Sequence, residues 1–337
     1  MPGDTTTTPY SDSAGFDNFY ISTYGDTIWL RPPPPVEEYQ PYQSNAKPSG
    51  ESKPMDSADL AIIFGLFILF LALANWKKKE EEVPYAELSP EKRKKLARAV
   101  VEEKGTEYDE WLSRYNPYYA SLPLHMRSRF MQRTVEFAQS KEFRFHELEE
   151  DESILILISA AAVQLTFGLP NFLMDYFHVI HVIRKEYVLH HDNETYYGHV
   201  SRNGIYISWD HFARGYHDYT DGVNVGLHEM AHAISYDVFL GYQDRHDRGF
   251  KRRLQEFRVE GGPVFRAMKE GDPHLLDSYA ATNFDEFWAV CIETFFETPE
   301  SLRDEEPGLY ATICELLNQD PTRQDKIIDK RMAGIRD

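Results

Sequence analysis

Residues 226–232 read GLHEMAH: two histidines four apart, with a glutamate directly after the first. On an α-helix, residues four apart project from one face. His228 and His232 can then each aim a ring nitrogen at one cation. Glu229 projects beside them, where it can take a proton from a water held there, which is the logic of HExxH hydrolases. Local signals favour a helix: Asn224 is a candidate cap, and Val225, Leu227, Ala231 and Ile234 supply apolar positions. The competing reading is a helix that packs two histidines at an interface. A third ligand decides between them.

A catalytic zinc takes three protein ligands and keeps one position open. The compact form HExxHxxGxxH is absent, because Ser235 and Val238 stand at its Gly and His positions. His246, His274, Glu286 and Glu293 are the downstream candidates. The segment YAATNFDEFWAVCIETFFETPE (279–300) is the favoured one. As a helix it places Glu286 and Glu293 on one face, so that one can ligate while the other supports the site from behind.

Around this core the chain is uneven. Its 337 residues carry a formal net charge of −19, which argues against direct nucleic-acid binding. The only cysteines, Cys291 and Cys314, lie in apolar helical stretches and read as buried thiols. Residues 1–58, with TTTT and PPPP runs and no apolar period, read as a disordered acidic tail. Residues 60–76 (LAIIFGLFILFLALANW) carry no charge, and 59–76 reads as a short transmembrane helix in the lipid bilayer. Lys77, Lys78 and Lys79 follow it. The positive-inside rule then gives a single-pass membrane protein with the tail outside and the following domain in the cytoplasm.

Residues 77–107 read as a juxtamembrane helix and linker, with Ser89 as cap and Gly105 as stop. The second apolar stretch, 153–169, contains Ser, Gln and Thr and lacks flanking lysines; it reads as a buried core helix. Residues 178–189 read as strand, and 194–210 as a hairpin turning at Asn203-Gly204. Helices are expected at 246–258, 285–297 and 306–318. His178, His181, His190, His191 and His199 read as structural or solvated.

The chain resembles the Mlc titration factor A family of zinc-dependent peptidases. The residues that carry the resemblance are GIYISW (204–209), DGVNVGLHEMAH (221–232), YAATN (279–283) and EFWAVCIETFFETPE (286–300). The active-site half is also similar to the catalytic domain of anthrax lethal factor, in which a tyrosine lies seven residues before a ligating glutamate, as Tyr279 does before Glu286. The resemblance implies an α+β, zincin-like metallopeptidase domain over 108–322, with a small mixed β-sheet, a helical C-terminal half and a short tail at 323–337. It implies one Zn2+ per chain on His228, His232 and Glu286, with Glu229 as general base. Tyr279 is then the oxyanion donor, and Glu293 a supporting carboxylate. The strand Gly204, Ile205, Tyr206, Ile207, Ser208 and Trp209 is a candidate to pair with an extended peptide or protein substrate. An alternative function is regulatory: a binding protein that uses the peptidase fold to sequester a transcriptional repressor.

Overall fold

The structure is a computed structural model that describes residues 85–188, 194–240, 248–331 and 333, together with the backbone of 19–21 and 27–29. The chain divides into two compact units, 1–32 with 89–337, and 33–88. Of the second unit, Tyr85–Glu87 form one 3-10 turn. The proposed transmembrane segment lies outside the described residues. Among those described, no helix is long and apolar enough to cross a membrane. Most of the proposed tail also lies outside them; within it, β1 (Phe19–Ile21) and β2 (Thr27–Trp29) pair antiparallel.

The larger unit is helix-rich α+β. Helix α1 (Pro90–Tyr115) starts where Ser89 accepts a hydrogen bond from the Lys92 amide. It runs through Gly105 rather than stopping there. A Cβ at that glycine would lie 3.5 Å from Met131 Sδ, an ordinary contact. A short α2 (Pro117–Ser121) leads to α3 (Leu124–Gln139), strand β3 (Glu142–His146) and α4 (Glu152–Thr166). The α4 sequence is the apolar stretch expected to be a core helix, and Ile154 through Thr166 are buried apart from Leu155.

Strands β4 (Val179–Ile183), β5 (Tyr187–Val188), β6 (Thr195–Tyr196), β7 (Gly198–Ser201) and β8 (Gly204–Ser208) follow. The main sheet has the order β3-β4-β8-β7: the first three are parallel, and β7 is antiparallel to β8. The β7–β8 turn is Arg202-Asn203, one residue earlier than the sequence suggested. Gly204 instead opens β8 at φ +153°, where a Cβ would fall 2.5 Å from the Val179 carbonyl.

Side chains alternate across the sheet. Ile180, Val182, Ile205 and Ile207 enter the main core, while Ile183 and Tyr206 pack with Tyr187 on the opposite face. Beneath the core face run α5 (Trp209–His217), α6 (Val225–Leu240), α7 (Arg248–Lys269), α8 (Phe284–Glu297), α9 (Pro299–Glu305) and α10 (Pro307–Leu317). Helix α6 lies against β7 and β8 on one side and α8 on the other. Trp288 of α8 donates its indole N–H to the Ala231 carbonyl at 2.8 Å.

The segment after α10 is docked rather than a free tail. Ile327 and Ala333 are buried, and Arg133 donates to the carbonyls of Phe167, Leu169 and Ala333. This buried guanidinium ties the C-terminal segment to the end of α4.

Candidate metal centre

Helix α6 begins at Asn224, whose side-chain oxygen accepts from the Leu227 amide at 3.0 Å, as the sequence suggested. Two turns of α6 then present His228 and His232. Helix α8 is capped in the same way by Asn283, which accepts from the Asp285 and Glu286 amides. Its first turn brings Glu286 across to the two histidines. His228 Nε2 lies 2.9 Å from Glu286 Oε2 and 3.1 Å from His232 Nε2. His232 Nε2 lies 3.4 Å from the same Glu286 oxygen.

Among the described residues this is the only set of three His, Cys, Asp or Glu side chains grouped to hold a metal ion. Its three edges suit the donor set of zinc: a tetrahedron with bonds of ~2.0 Å has edges of about 3.3 Å. His274, an alternative third ligand, instead bonds Glu306 at 2.8 Å, and His246 lies outside the described residues.

The electrostatics also fit a cation. Burial disfavours charge on His228, but Glu293 and Glu286 outweigh it and hold its pKa well above the ordinary imidazole value. Burial would likewise raise Glu286, yet hydrogen bonds from His228 and His232 hold it at about 2. The cluster therefore stabilises positive charge where the three donor atoms converge.

Glu293 sits one helical repeat beyond Glu286 on α8 and reaches the other side of His228. Its Oε1 is 2.5 Å from His228 Nδ1, and its Oε2 accepts from the Asn224 amide. A carboxylate on Nδ1 sets the imidazole so that Nε2 is the nitrogen left for a metal. Asp237, the acidic residue that follows the motif on α6, does not do this; it accepts from the Tyr176 amide.

Glu229 lies on the sheet side of α6, only 4% exposed, and its Oε2 is buried without a hydrogen-bond partner among the described residues. Burial raises its pKa to about 7. The residue above it is Gly198 of β7, where a Cβ would lie 2.5 Å from Glu229 Oε1.

Tyr279, on the turn Ser278–Ala281, has its ring centroid 6.1 Å from that of His228 and is half exposed. Partial burial and the neighbouring carboxylates Glu286 and Glu229 raise its pKa to about 12, so the phenol stays a donor at neutral pH.

The sequence offered Gly204–Trp209 as a candidate substrate strand, with an ordinary core strand as the alternative, and the structure makes it an interior strand. Strand β8 is paired on both sides, by β4 and β7, and all five of its residues are buried, while Trp209 opens α5. Its unbroken apolar run is that of an interior strand. The edge is β7. The Ser208 amide donates to the Tyr197 carbonyl, and His199 faces Tyr206. Residues 197, 199 and 201 therefore bond inward, and the amide groups of Gly198 and Val200 point outward. No described strand covers that side.

Sequence reasoning missed Gly198, Glu297 and the role of Asn224 beyond capping. Glu297 Oε1 accepts from Asn224 Nδ2 at 3.0 Å and Oε2 from the Gly222 amide at 2.9 Å. Burial and the charges of Glu293 and Asp221 outweigh those two bonds and raise its pKa to about 8. Its spacing of four from Glu293 on one helix face was the available signal.

Known proteins match a large part of the chain. The chain is 26% identical over 230 residues to Mlc titration factor A of Enterobacter sp. (strain 638), covering 62% of this chain and 84% of that protein. It is 27% identical over 214 residues to an uncharacterized protein of Synechocystis sp., covering 58% of this chain and 78% of that protein. The sequence pattern of one peptidase family spans residues 88–317, which holds the whole metal-ligand cluster, its carboxylates and the edge strand. The chain belongs to that family, the glucose-regulated metallo-peptidases M90.

Proposed function

We propose that this chain is a zinc-dependent peptidase that binds an extended peptide along β7 and hydrolyses it with Glu229 as general base. The observation that carries the reading is the convergence of His228, His232 and Glu286 beside a buried carboxylate, one oxygen of which has no partner among the described residues. His228 Nε2, His232 Nε2 and a Glu286 oxygen would hold the ion. Zinc bound there supplies a Lewis acid that brings the pKa of a water toward ~7 and polarises a carbonyl.

The chain's own groups supply the rest. The outward amides of Gly198 and Val200 pair with the peptide backbone and hold it straight above Glu229. Glu229 takes a proton from the attacking water and passes it to the leaving amine; burial gives it the pKa for both transfers near neutrality. Tyr279 donates a hydrogen bond to the oxygen on which negative charge develops. The experiment is metal content and peptide hydrolysis of wild type beside Glu286→Ala and Glu229→Gln. Near-equimolar zinc in wild type, lost in the first variant, and hydrolysis abolished with zinc kept in the second, support the reading. Normal turnover by Glu229→Gln overturns it.

A second reading has one supporting observation, the name of the Enterobacter relative, a titration factor for Mlc. On that reading the domain sequesters a transcriptional regulator. Regulator binding that survives Glu229→Gln separates it from turnover.

Anchoring belongs to the proposal as well: the uncharged run 60–76 followed by three lysines supports a single span with the peptidase domain in the cytoplasm. Release of the full-length chain from membranes by alkaline carbonate would count against it.

A further inference from the structure

We propose that Glu297 is a positioning residue of the metal centre, acting through Asn224 on Glu293 and so on His228. The inference rests on the zinc-peptidase reading and adds to it a residue beyond the ligands and their immediate supports.

Helix α8 carries three glutamates at positions 286, 293 and 297, spacings of seven and four that share one face. Each does something different along the length of α6. Glu286 meets the ring nitrogens of the two histidines. Glu293 backs His228. Glu297 lies where the chain enters α6, and both its oxygens accept N–H donors from that entry, one from Gly222 and one from Asn224.

Asn224 is the joint between these carboxylates. Its backbone amide donates to Glu293, its Nδ2 to Glu297, its Oδ1 accepts from the Leu227 amide, and its carbonyl accepts from the His228 amide at 2.9 Å. Gly222 sits at φ +76° and Val223 is half exposed. Besides Glu297, the entry is held by Asp221, which accepts from the Val223 amide at 3.0 Å, and by a longer contact of 3.5 Å from Asn224 Nδ2 to the Gly215 carbonyl. With Asn224 held by Glu297, its amide is fixed on Glu293 Oε2, and Glu293 keeps Oε1 on His228 Nδ1. Direct removal of a partner behind a ligating histidine costs 10–100-fold in metal affinity as a rule, so an effect one link further out is expected at roughly 3–10-fold.

The competing reading is that Glu297 only braces a loop. A polarity swap separates the two. Glu297→Gln leaves Gln unable to accept from both donors, since one of its two polar atoms is an NH2. Asn224→Asp keeps the helix cap but sets two carboxyl groups against each other. The double variant restores one donor facing one acceptor and still accepts from the Gly222 amide.

The test uses the full-length chain and zinc alone as probe. It measures zinc affinity by competition with a chelator, kcat and KM on a peptide, and the Tm of the zinc-free protein. Each single variant is expected to bind zinc about 3–10-fold more weakly and to lose kcat more than it changes KM, with zinc affinity recovered in the double variant. Wild-type zinc affinity in the single variants overturns the inference. So does a double variant that regains Tm without regaining zinc affinity. If Glu297→Gln does not fold, the comparison of Asn224→Asp with the double variant decides in the same way. Absence of zinc binding by wild type would instead defeat the peptidase reading itself.

Discussion

Gly198 lies so close over Glu229 that a Cβ on it would fall 2.5 Å from Oε1, 2.6 Å from Cγ and 2.7 Å from Cδ of the glutamate. The edge strand and the proposed general base are thus in contact only because residue 198 has no side chain. Gly198→Ala must push Glu229 aside or lift β7, and misplacement of a catalytic group by ~1 Å costs about 100-fold. The expected outcome is a loss of kcat/KM of at least that order with zinc content unchanged, because none of the three ligands touches Gly198. Full activity in Gly198→Ala would show that Glu229 does not work from this position.

Glu293 should matter for the metal rather than for the chemistry. It is 4% exposed and touches His228 Nδ1 and the Asn224 amide. Glu293→Gln exchanges one of two acceptor oxygens for a donor, so His228 loses its fixed orientation or the α6 entry loses its tie. Zinc affinity is expected to fall 10–100-fold. At saturating zinc most of the activity should return, which distinguishes this variant from Glu229→Gln. Competition with a chelator, followed by assay at added zinc, reads both quantities.

The convergence of His228, His232 and Glu286 was legible because helical periodicity is a property of the sequence. Positions 228, 232, 286 and 293 had to share faces once α6 and α8 were recognised, and the two helices had only to meet. The core helix α4 was legible for a related reason, since Ile154 through Leu165 offer no polar face. What could not be read was sheet order. Strand β8 advertises itself by an unbroken apolar run, and that run marks burial between two neighbours, not an edge. The actual edge, β7, reads GHVS, too short and too polar to stand out, and its approach to Glu229 joins residues 31 positions apart. Glu297 was hidden for the same reason: its partners are a backbone amide and an asparagine on another element.

Tyr279 is a contrasting case, because stability and activity should part there. The residue is half exposed, on a 3-10 turn, and its phenol makes no hydrogen bond among the described residues. Tyr279→Phe keeps the ring near His228 and removes the donor. Stability should change by less than about 0.5 kcal/mol. Loss of one donor to developing charge should lower kcat by ~100-fold or more, with KM little affected. A parallel rise in KM with kcat preserved would assign the hydroxyl to ground-state binding instead.

The sheet's outer face carries the last prediction, and it concerns pH. His181 stacks on Tyr206 at 4.2 Å, Tyr206 on His199 at 4.2 Å, and His146 Nε2 lies 3.0 Å from His181 Nδ1. Both His146 and His181 are buried, and burial lowers their pKa values to about 4 and about 3, with His146, Arg144 and His199 adding to the effect at His181. Unfolded, each takes up its proton near 6.5. Between these limits the unfolded chain binds more protons than the folded one, so stability rises with pH. The contribution is full above about pH 6.5 and is lost as the pH falls toward 3. Shifts of about 2.5 units at His146 and about 3.5 at His181 are worth roughly 3 and 5 kcal/mol, a large share of the 5–15 kcal/mol of an ordinary domain. Unfolding of zinc-free protein by urea should therefore show a steep loss of stability over that window. His181→Phe keeps a ring against Tyr206 but removes one titrating group, and should flatten the slope by up to half while lowering stability at pH 7. An unchanged slope in that variant would mean that the acid sensitivity arises elsewhere than in this pair.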